Sequence, residues 1–189
     1  MSASDLRGML ALTFRDPDAG ARAVLAVDWP REALWLGLLL TSVLAALLTT
    51  LTRIVAGVED GALIGPIAAL PAAAAAIQLA ISWLLIQGLW RVGRAFGGEG
   101  GEPGAFALGV WLQVGLITLQ GVQLLVAPLP LLPTLAGLAA VTIFFWWLTR
   151  FAMALHGFSS PWAVLGTSVL VLIAAVVALS AILGLLSGV

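Results

Sequence analysis

Five long apolar stretches, each about the length of a membrane span, set the limits on what this chain can fold into. They cover residues 33–51, 71–90, 106–127, 132–149 and 162–186. An α-helix needs about 20 apolar residues to cross the roughly 30 Å hydrocarbon core of a bilayer. The pattern therefore predicts an all-α integral membrane bundle of five transmembrane helices over residues 33–189, after a short cytoplasmic lead over residues 1–32.

The scarcity of charge agrees with a membrane domain and excludes several classes of function. The 189 residues are 62% hydrophobic and 9% charged, whereas about a quarter of the residues in a soluble domain are charged. A net charge of −1 leaves no basic surface for nucleic acid, so we expect no nucleic-acid partner. Without cysteine, the chain can form neither disulfides nor zinc–thiolate sites.

Arginine is divided unequally between the two sides of this five-span arrangement. With the N-terminus inside, Arg53 alone lies outside. The seven inside are Arg7, Arg15, Arg22, Arg31, Arg91, Arg94 and Arg150. Because basic loops stay on the cytoplasmic side, this predicts a cytoplasmic N-terminus, an exported C-terminus and an odd number of spans. A composition rich in alanine, glycine and arginine is typical of GC-rich bacterial genomes, so we expect a bacterial inner membrane.

The lead has the pattern of two short amphipathic helices. One apolar face is formed by Leu6, Met9, Leu10, Thr13 and Phe14. Asp16 and Pro17 have the pattern of a second helix start, a capping residue followed by proline at the first helical position. We expect both helices on the cytoplasmic membrane surface, where they either pack against the bundle or dock a partner.

Catalytic groups are missing from the apolar stretches. No ionisable residue lies deep in any of them, whereas proton relays and intramembrane aspartyl proteases need such residues. His156 is the single histidine, and one histidine does not make a metal site. We expect no enzymatic activity, no cofactor and no metal.

The polar residues within the spans are mostly amides and hydroxyls. Gln78 and Ser82 share a face of the second span, and one face of the third carries Gln113, Gln120 and Gln123. An amide in lipid needs a hydrogen-bonding partner. These residues either join helices or form a polar track for a substrate or a lipid head group.

Arg150 and His156 are the basic residues between the fourth and fifth spans. In one interpretation, Arg150 pairs with lipid phosphate and acids of the lead, while His156 closes the turn by hydrogen bonding. In the other, both hold an anionic head group or an acidic residue of a partner, since the forked donors of arginine suit phosphate.

Small residues recur at four-residue steps in two spans. The second span carries Ala72, Ala76 and Ala80, and the fifth carries Ser180, Gly184 and Gly188. Such ridges let helices approach closely, either within the bundle or in a dimer. The glycine-rich loop 93–104 is acidic and follows a span, so a flexible turn is expected there rather than a phosphate site.

Three short motifs lie beside the predicted spans. They are Thr13-Phe14-Arg15-Asp16-Pro17, Phe96-Gly97-Gly98-Glu99-Gly100-Gly101 with Phe106, and Trp146-Trp147-Leu148-Thr149-Arg150-Phe151 leading into His156-Gly157-Phe158-Ser159. Together with the five-span layout, they resemble the Yip family of Ypt/Rab-interacting membrane proteins in its shorter bacterial form. The resemblance covers nearly the whole chain.

The resemblance implies a protein that organises or accompanies other membrane proteins or lipids rather than an enzyme. Eukaryotic members of the family are linked to Rab GTPases. This chain lacks their long cytosolic head, their Asp-Leu-Tyr-Gly-Pro signature and any tyrosine, so a Rab-type GTPase is not expected. The expected partners are membrane lipids and either another membrane protein or a second copy. The alternative is a small permease or lipid-handling protein that uses the polar face of the third span.

Overall fold

A computed structural model describes residues 2–57 and 71–187, and within these ranges it contains seven α-helices and no strand. They are α1 (Ala3–Arg15), α2 (Pro17–Leu25), α3 (Arg31–Ala56), α4 (Pro71–Ala95), α5 (Glu102–Val126), α6 (Leu132–His156) and α7 (Pro161–Ser187). The all-helical prediction is confirmed. The expectations for Gly188, for the side chain of Ser180 and for packing at Gly184 lie outside what the structure describes.

Within the residues that the structure describes, four helices, α3 to α6, are long and apolar enough to cross a membrane, and Pro161–Ala174 of α7 adds a shorter apolar helix. Three of the four run past the ends predicted from apolar residues: α3 continues to Ala56, α4 to Ala95 and α6 to His156. The apolar pattern marks only the length in hydrocarbon, whereas a helix continues until its backbone is stopped. Gly57 and Gly157 stop α3 and α6 in the left-handed conformation, at φ of 65° and 73°.

Side-chain caps fix the starts of the two lead helices. The Asp16 carboxylate accepts the Ala19 N–H at 2.9 Å, and Pro17 takes the first position of α2. Ser2 caps α1 and forms a reciprocal pair with Asp5. The Ser2 backbone N–H donates to the Asp5 carboxylate at 2.7 Å, and this hydrogen bond lowers the pKa of the Asp5 carboxyl.

α5 is the central helix of the bundle, and it packs against α2, α3, α4 and α6. Phe106 near its start contacts Trp35 near the start of α3, with ring centroids 5.1 Å apart. His156 at the end of α6 contacts Leu89 near the end of α4 and Gly100 just before α5. The starts of α3 and α5 and the ends of α4 and α6 therefore lie together, at what we call the lead end. The opposite end is the far end. Seven of the eight arginines lie at the lead end or in the lead, and Arg53 lies near the far end of α3.

Most of the buried residues of α5 and α6 lie in the half of the bundle nearest the lead end. The buried residues of α5 fall between Ala105 and Gly115, and those of α6 between Trp147 and His156. In the same half, Trp35, Trp83 and Phe106 form an aromatic cluster that joins α3, α4 and α5. Hydrophobic attraction between helices is weak in lipid, so this contact depends on close side-chain fit.

The small-residue ridge of the second span does not pack inside the bundle. Ala72, Ala76 and Ala80 are all exposed on the surface of α4. Close approach of helices occurs at glycines instead. Gly109 of α5 lies against Ile86 of α4, and Gly37 of α3 lies against Val110 of α5, where an added methyl would come within 2.9 Å.

Candidate functional site

The lead is fastened to the bundle by a buried hydrogen bond between side chains of α1 and α5. The indole N–H of Trp111 donates to the hydroxyl of Thr13 at 2.9 Å, and this hydroxyl donates to the Met9 carbonyl at 2.9 Å. Thr13 is 1% exposed and Trp111 5%. Gly20 of α2 fits directly against Thr13, since a methyl there would lie 2.8 Å from the Thr13 Cα. The hydroxyl therefore acts both as a donor and as an acceptor.

The next residue of the same motif packs against α6. The ring of Phe14 meets the ring of Trp147 edge to face, with centroids 4.7 Å apart. Trp147 is fully buried, and Gly115 of α5 makes room for it, since a methyl there would come within 2.9 Å of the Trp147 Cη2. The motif that starts at Thr13 is thus the point where the lead joins both α5 and α6.

Arg150 ties the lead to α6 by an ion pair. Its Nη1 lies 3.2 Å from Oδ2 of Asp18 in α2, and the two side chains are 36% and 33% exposed. The partner is an acid of the lead, which agrees with the first of the two interpretations for Arg150. Part of the Arg150 side chain remains exposed.

His156 is held in a clasp made by the glycine-rich loop and the end of α4. Its Nδ1 accepts the Gly100 N–H at 3.1 Å, and its Nε2 lies 2.9 Å from the Leu89 carbonyl oxygen. Because Nδ1 is an acceptor here, the proton is on Nε2, which donates to Leu89. The ring is 4% exposed and stacks on Phe158. Both nitrogens of His156 are thus used within the protein.

Three glycines bring the backbone of the clasp close to the histidine ring. A methyl at Gly98 would lie 2.5 Å from the His156 Cβ, and one at Gly93 2.6 Å from its Cε1. One at Gly100 would lie 2.8 Å from Cε1. The loop expected to be a flexible turn therefore shapes a pocket for one side chain. The run of glycines without a phosphate-binding context is the sequence signal that could have indicated close packing around a side chain.

Arg150 and His156 have different partners, on different elements. Arg150 pairs with Asp18 of α2, whereas His156 bonds to Leu89 and Gly100. An anionic site shared by both residues would require His156 to give up one of these bonds. Of the two, Arg150 is the side chain with surface available to a lipid or partner.

A serine hydroxyl joins the glutamines of the second and third spans. The Gln113 amide donates to the Ser82 hydroxyl at 2.6 Å, and the Gln78 amide lies 3.4 Å from the same oxygen. Gln113 is 5% exposed and Ser82 1%. This part of the polar face joins α4 to α5.

The other two glutamines of α5 lie in a different place. Gln120 and Gln123 line an open groove of about 410 Å³ between α5 and α6. The remaining lining residues are Leu116, Leu119, Gly137, Ala140, Val141 and Phe144. Among the described residues, the buried Oε1 of Gln120 has no hydrogen-bond partner, and the same is true of Oε1 of Gln87 in α4. We call the groove between α5 and α6 the glutamine groove.

Comparison with known proteins identifies one family. The family model described as the Yip1 domain matches residues 11–182. The matched range includes the Thr13 motif, the histidine clasp and the glutamine groove. Comparison with curated proteins found no match, and neither did comparison with solved structures.

Proposed function

Because this chain belongs to the Yip1 domain family, we propose that it is a non-enzymatic five-span membrane protein that organises or accompanies other membrane proteins or lipids. In this proposal α7 is the fifth span, and the membrane is the inner membrane of a bacterium. The proposed partners are membrane lipids and either another membrane protein or a second copy of this chain. A Rab-type GTPase is not among them.

The burial of Gln113 is the observation that carries the proposal. A permease that used the polar face of the third span would expose this amide to a solvated path. Instead, Gln113 is 5% exposed and bonds to Ser82 on the neighbouring helix. A tightly packed lead half suits a protein that presents outer surfaces to neighbours.

The arginine distribution supports a cytoplasmic lead end. Arg91 and Arg94 end α4, Arg31 starts α3, and the lead carries three more arginines. A reporter active only in the cytoplasm, fused to Val189, should be silent, and the same reporter inserted at Gly97 should be active. Strong activity at Val189 would refute the orientation and the count of five spans together.

Co-purification tests the organising role. After gentle extraction, mass spectrometry should find a stoichiometric protein or lipid with the parent chain. Arg150→Gln should reduce its recovery while the unfolding temperature stays close to that of the parent. Arg94→Gln, an exposed arginine at the same end, is the matched control. If nothing co-purifies above the level seen with an unrelated membrane protein, the organising role is wrong.

A second candidate function is lipid handling, and the glutamine groove is the observation that favours it. The groove opens to the outside of the bundle between α5 and α6, so the ligand would enter sideways from the bilayer. Reconstituted protein should then speed the movement of a fluorescent lipid between leaflets, and Gln120→Leu should slow it. A rate equal to that of protein-free vesicles would exclude this candidate.

A further inference from the structure

The position of the glutamine groove along the helices indicates which part of a ligand it would meet. Gln123 and Gln120 come three and six residues before Val126, where α5 ends. At 1.5 Å per residue they lie about 5 Å and 9 Å from the far end of the helix. Leu116 and Phe144 continue the groove toward the middle of the bundle. The polar residues are therefore at the outer mouth, and the apolar residues are deeper.

The two amides at the mouth have hydrogen-bonding capacity that the described part of the chain does not use. No hydrogen bond to either Gln120 or Gln123 is formed there, and Oε1 of Gln120 is buried. Because this oxygen is covered, the part of Gln120 that meets the groove is its amide N–H, a donor, whereas the Gln123 amide can donate or accept. A ligand with both a donor and an acceptor would satisfy the pair.

The lining restricts the charge of such a ligand. The eight residues around the groove include no acid and no base. An ammonium or phosphate group at this depth would have no counter-charge, and burying an unpaired charge is far more costly than burying a hydroxyl. The complementary group is thus a neutral hydroxyl. The deeper apolar part, bordered by Leu116, Ala140 and Phe144, offers a surface for an acyl chain.

We propose that the glutamine groove binds a neutral glycerolipid with a free glycerol hydroxyl, of which diacylglycerol is the simplest. The hydroxyl donates to the carbonyl oxygen of Gln123, and the Gln120 amide donates to an ester carbonyl. One acyl chain lies along Leu116, Val141 and Phe144. This inference goes beyond the organising role, and it rests on the second candidate function only in using the same groove.

A binding measurement with matched lipids tests the proposal. The full chain in detergent micelles is titrated with dioleoylglycerol and with its 3-O-methyl ether, and the shift in unfolding temperature gives an apparent Kd. Dioleoylglycerol should bind at least about tenfold more tightly than the ether, which corresponds to about 1.4 kcal/mol for one lost hydrogen bond. Equal binding of the two lipids would overturn the proposal.

Variants locate the site. Gln120→Leu should weaken dioleoylglycerol about tenfold or more, whereas Gln78→Leu, the same change on α4, should alter it less than about twofold. Gly137→Leu fills the groove from the opposite wall and covers the case in which Gln120→Leu does not fold. A methyl at Gly137 would come no closer than 3.8 Å to the Gln123 amide nitrogen, an ordinary contact. If Gln120→Leu and Gly137→Leu both bind like the parent, the site is wrong.

Two further outcomes have defined meanings. In the first, the parent chain shows no lipid selectivity and Gln120→Leu converts a dimer to a monomer. This result would mean that a second copy covers the groove, and it would refute the proposal of a bound lipid. Selective binding without lipid movement between leaflets would support the site and remove only the second candidate function. Binding and transport are therefore measured on the same preparations.

Discussion

Trp111 donates its indole N–H to the hydroxyl of Thr13, a residue 98 positions earlier in the chain, across 2.9 Å. Both side chains are buried, and the hydroxyl also donates to the carbonyl one turn back in its own helix. This bond makes the lead a part of the bundle rather than a separate segment on its surface. The stability of the lead should therefore depend on one hydroxyl group.

Thr13→Val keeps the shape of the side chain and removes the hydroxyl. The Trp111 N–H would then be buried without a partner, and we expect a loss of about 1–3 kcal/mol in unfolding free energy. Thermal unfolding in detergent measures this loss of stability, and protease cleavage within residues 1–32 shows whether the lead detaches. Thr118→Val, an exposed threonine bonded only within α5, should change little. If Thr13→Val lowers the unfolding free energy as much in a Trp111→Phe background as in the parent, this hydrogen bond is not the cause of the loss.

The histidine clasp should not accept a side chain on its glycines. In Gly93→Ala the new methyl would lie 2.6 Å from the His156 Cε1, and we expect a cost of about 1–3 kcal/mol. Gly88→Ala, in α4 with open space around it, should be neutral or slightly stabilising. His156→Ala removes the ring and should relieve most of the cost of Gly93→Ala. Additive effects of the two changes, measured by unfolding, would contradict the clasp.

The contact between α5 and α6 offers a matched pair of glycines in one helix. A methyl at Gly115 would overlap the ring of Trp147, whereas a methyl at Gly121 would meet nothing within 4 Å. Gly115→Ala should therefore lower stability by about 1–3 kcal/mol. Gly121→Ala should raise it by up to about 1 kcal/mol, since alanine favours helix. Equal unfolding temperatures for the two variants would show that Trp147 does not pack there.

The ion pair between Arg150 and Asp18 should contribute little to stability. About a third of each side chain is exposed, and exposed pairs contribute about 0.2–1 kcal/mol. A double-mutant cycle with Arg150→Gln and Asp18→Asn should give a coupling energy in that range, reduced by 1 M salt. A coupling above about 2 kcal/mol would mean that the pair is shielded from solvent.

The helices and their order could be predicted from the sequence because apolar length is a direct consequence of bilayer thickness. The cap at Asp16 with Pro17 was predictable for a similar reason, since it depends only on neighbouring residues. The structure places the start of α2 there. Local chemistry and membrane thickness thus account for the elements.

The partners of the polar residues could not be predicted in the same way. The helical spacing put Gln113, Gln120 and Gln123 on one face, yet Gln113 bonds to α4 while the other two line the groove against α6. In lipid, the outer and inner faces of a helix can be equally apolar, so composition does not show which neighbour a face meets. Likewise, a glycine permits a close approach without showing that His156 is the group that approaches.

The attachment of the lead also has a consequence for synthesis. Thr13 and Phe14 leave the ribosome long before the residues that receive them, since Trp111 lies in α5 and Trp147 in α6. At about 5–20 residues per second, the 98 positions between Thr13 and Trp111 take roughly 5–20 s to make. During this interval the lead has no bundle to fold against. Closure of the lead end therefore marks a chain whose central helices are already inserted.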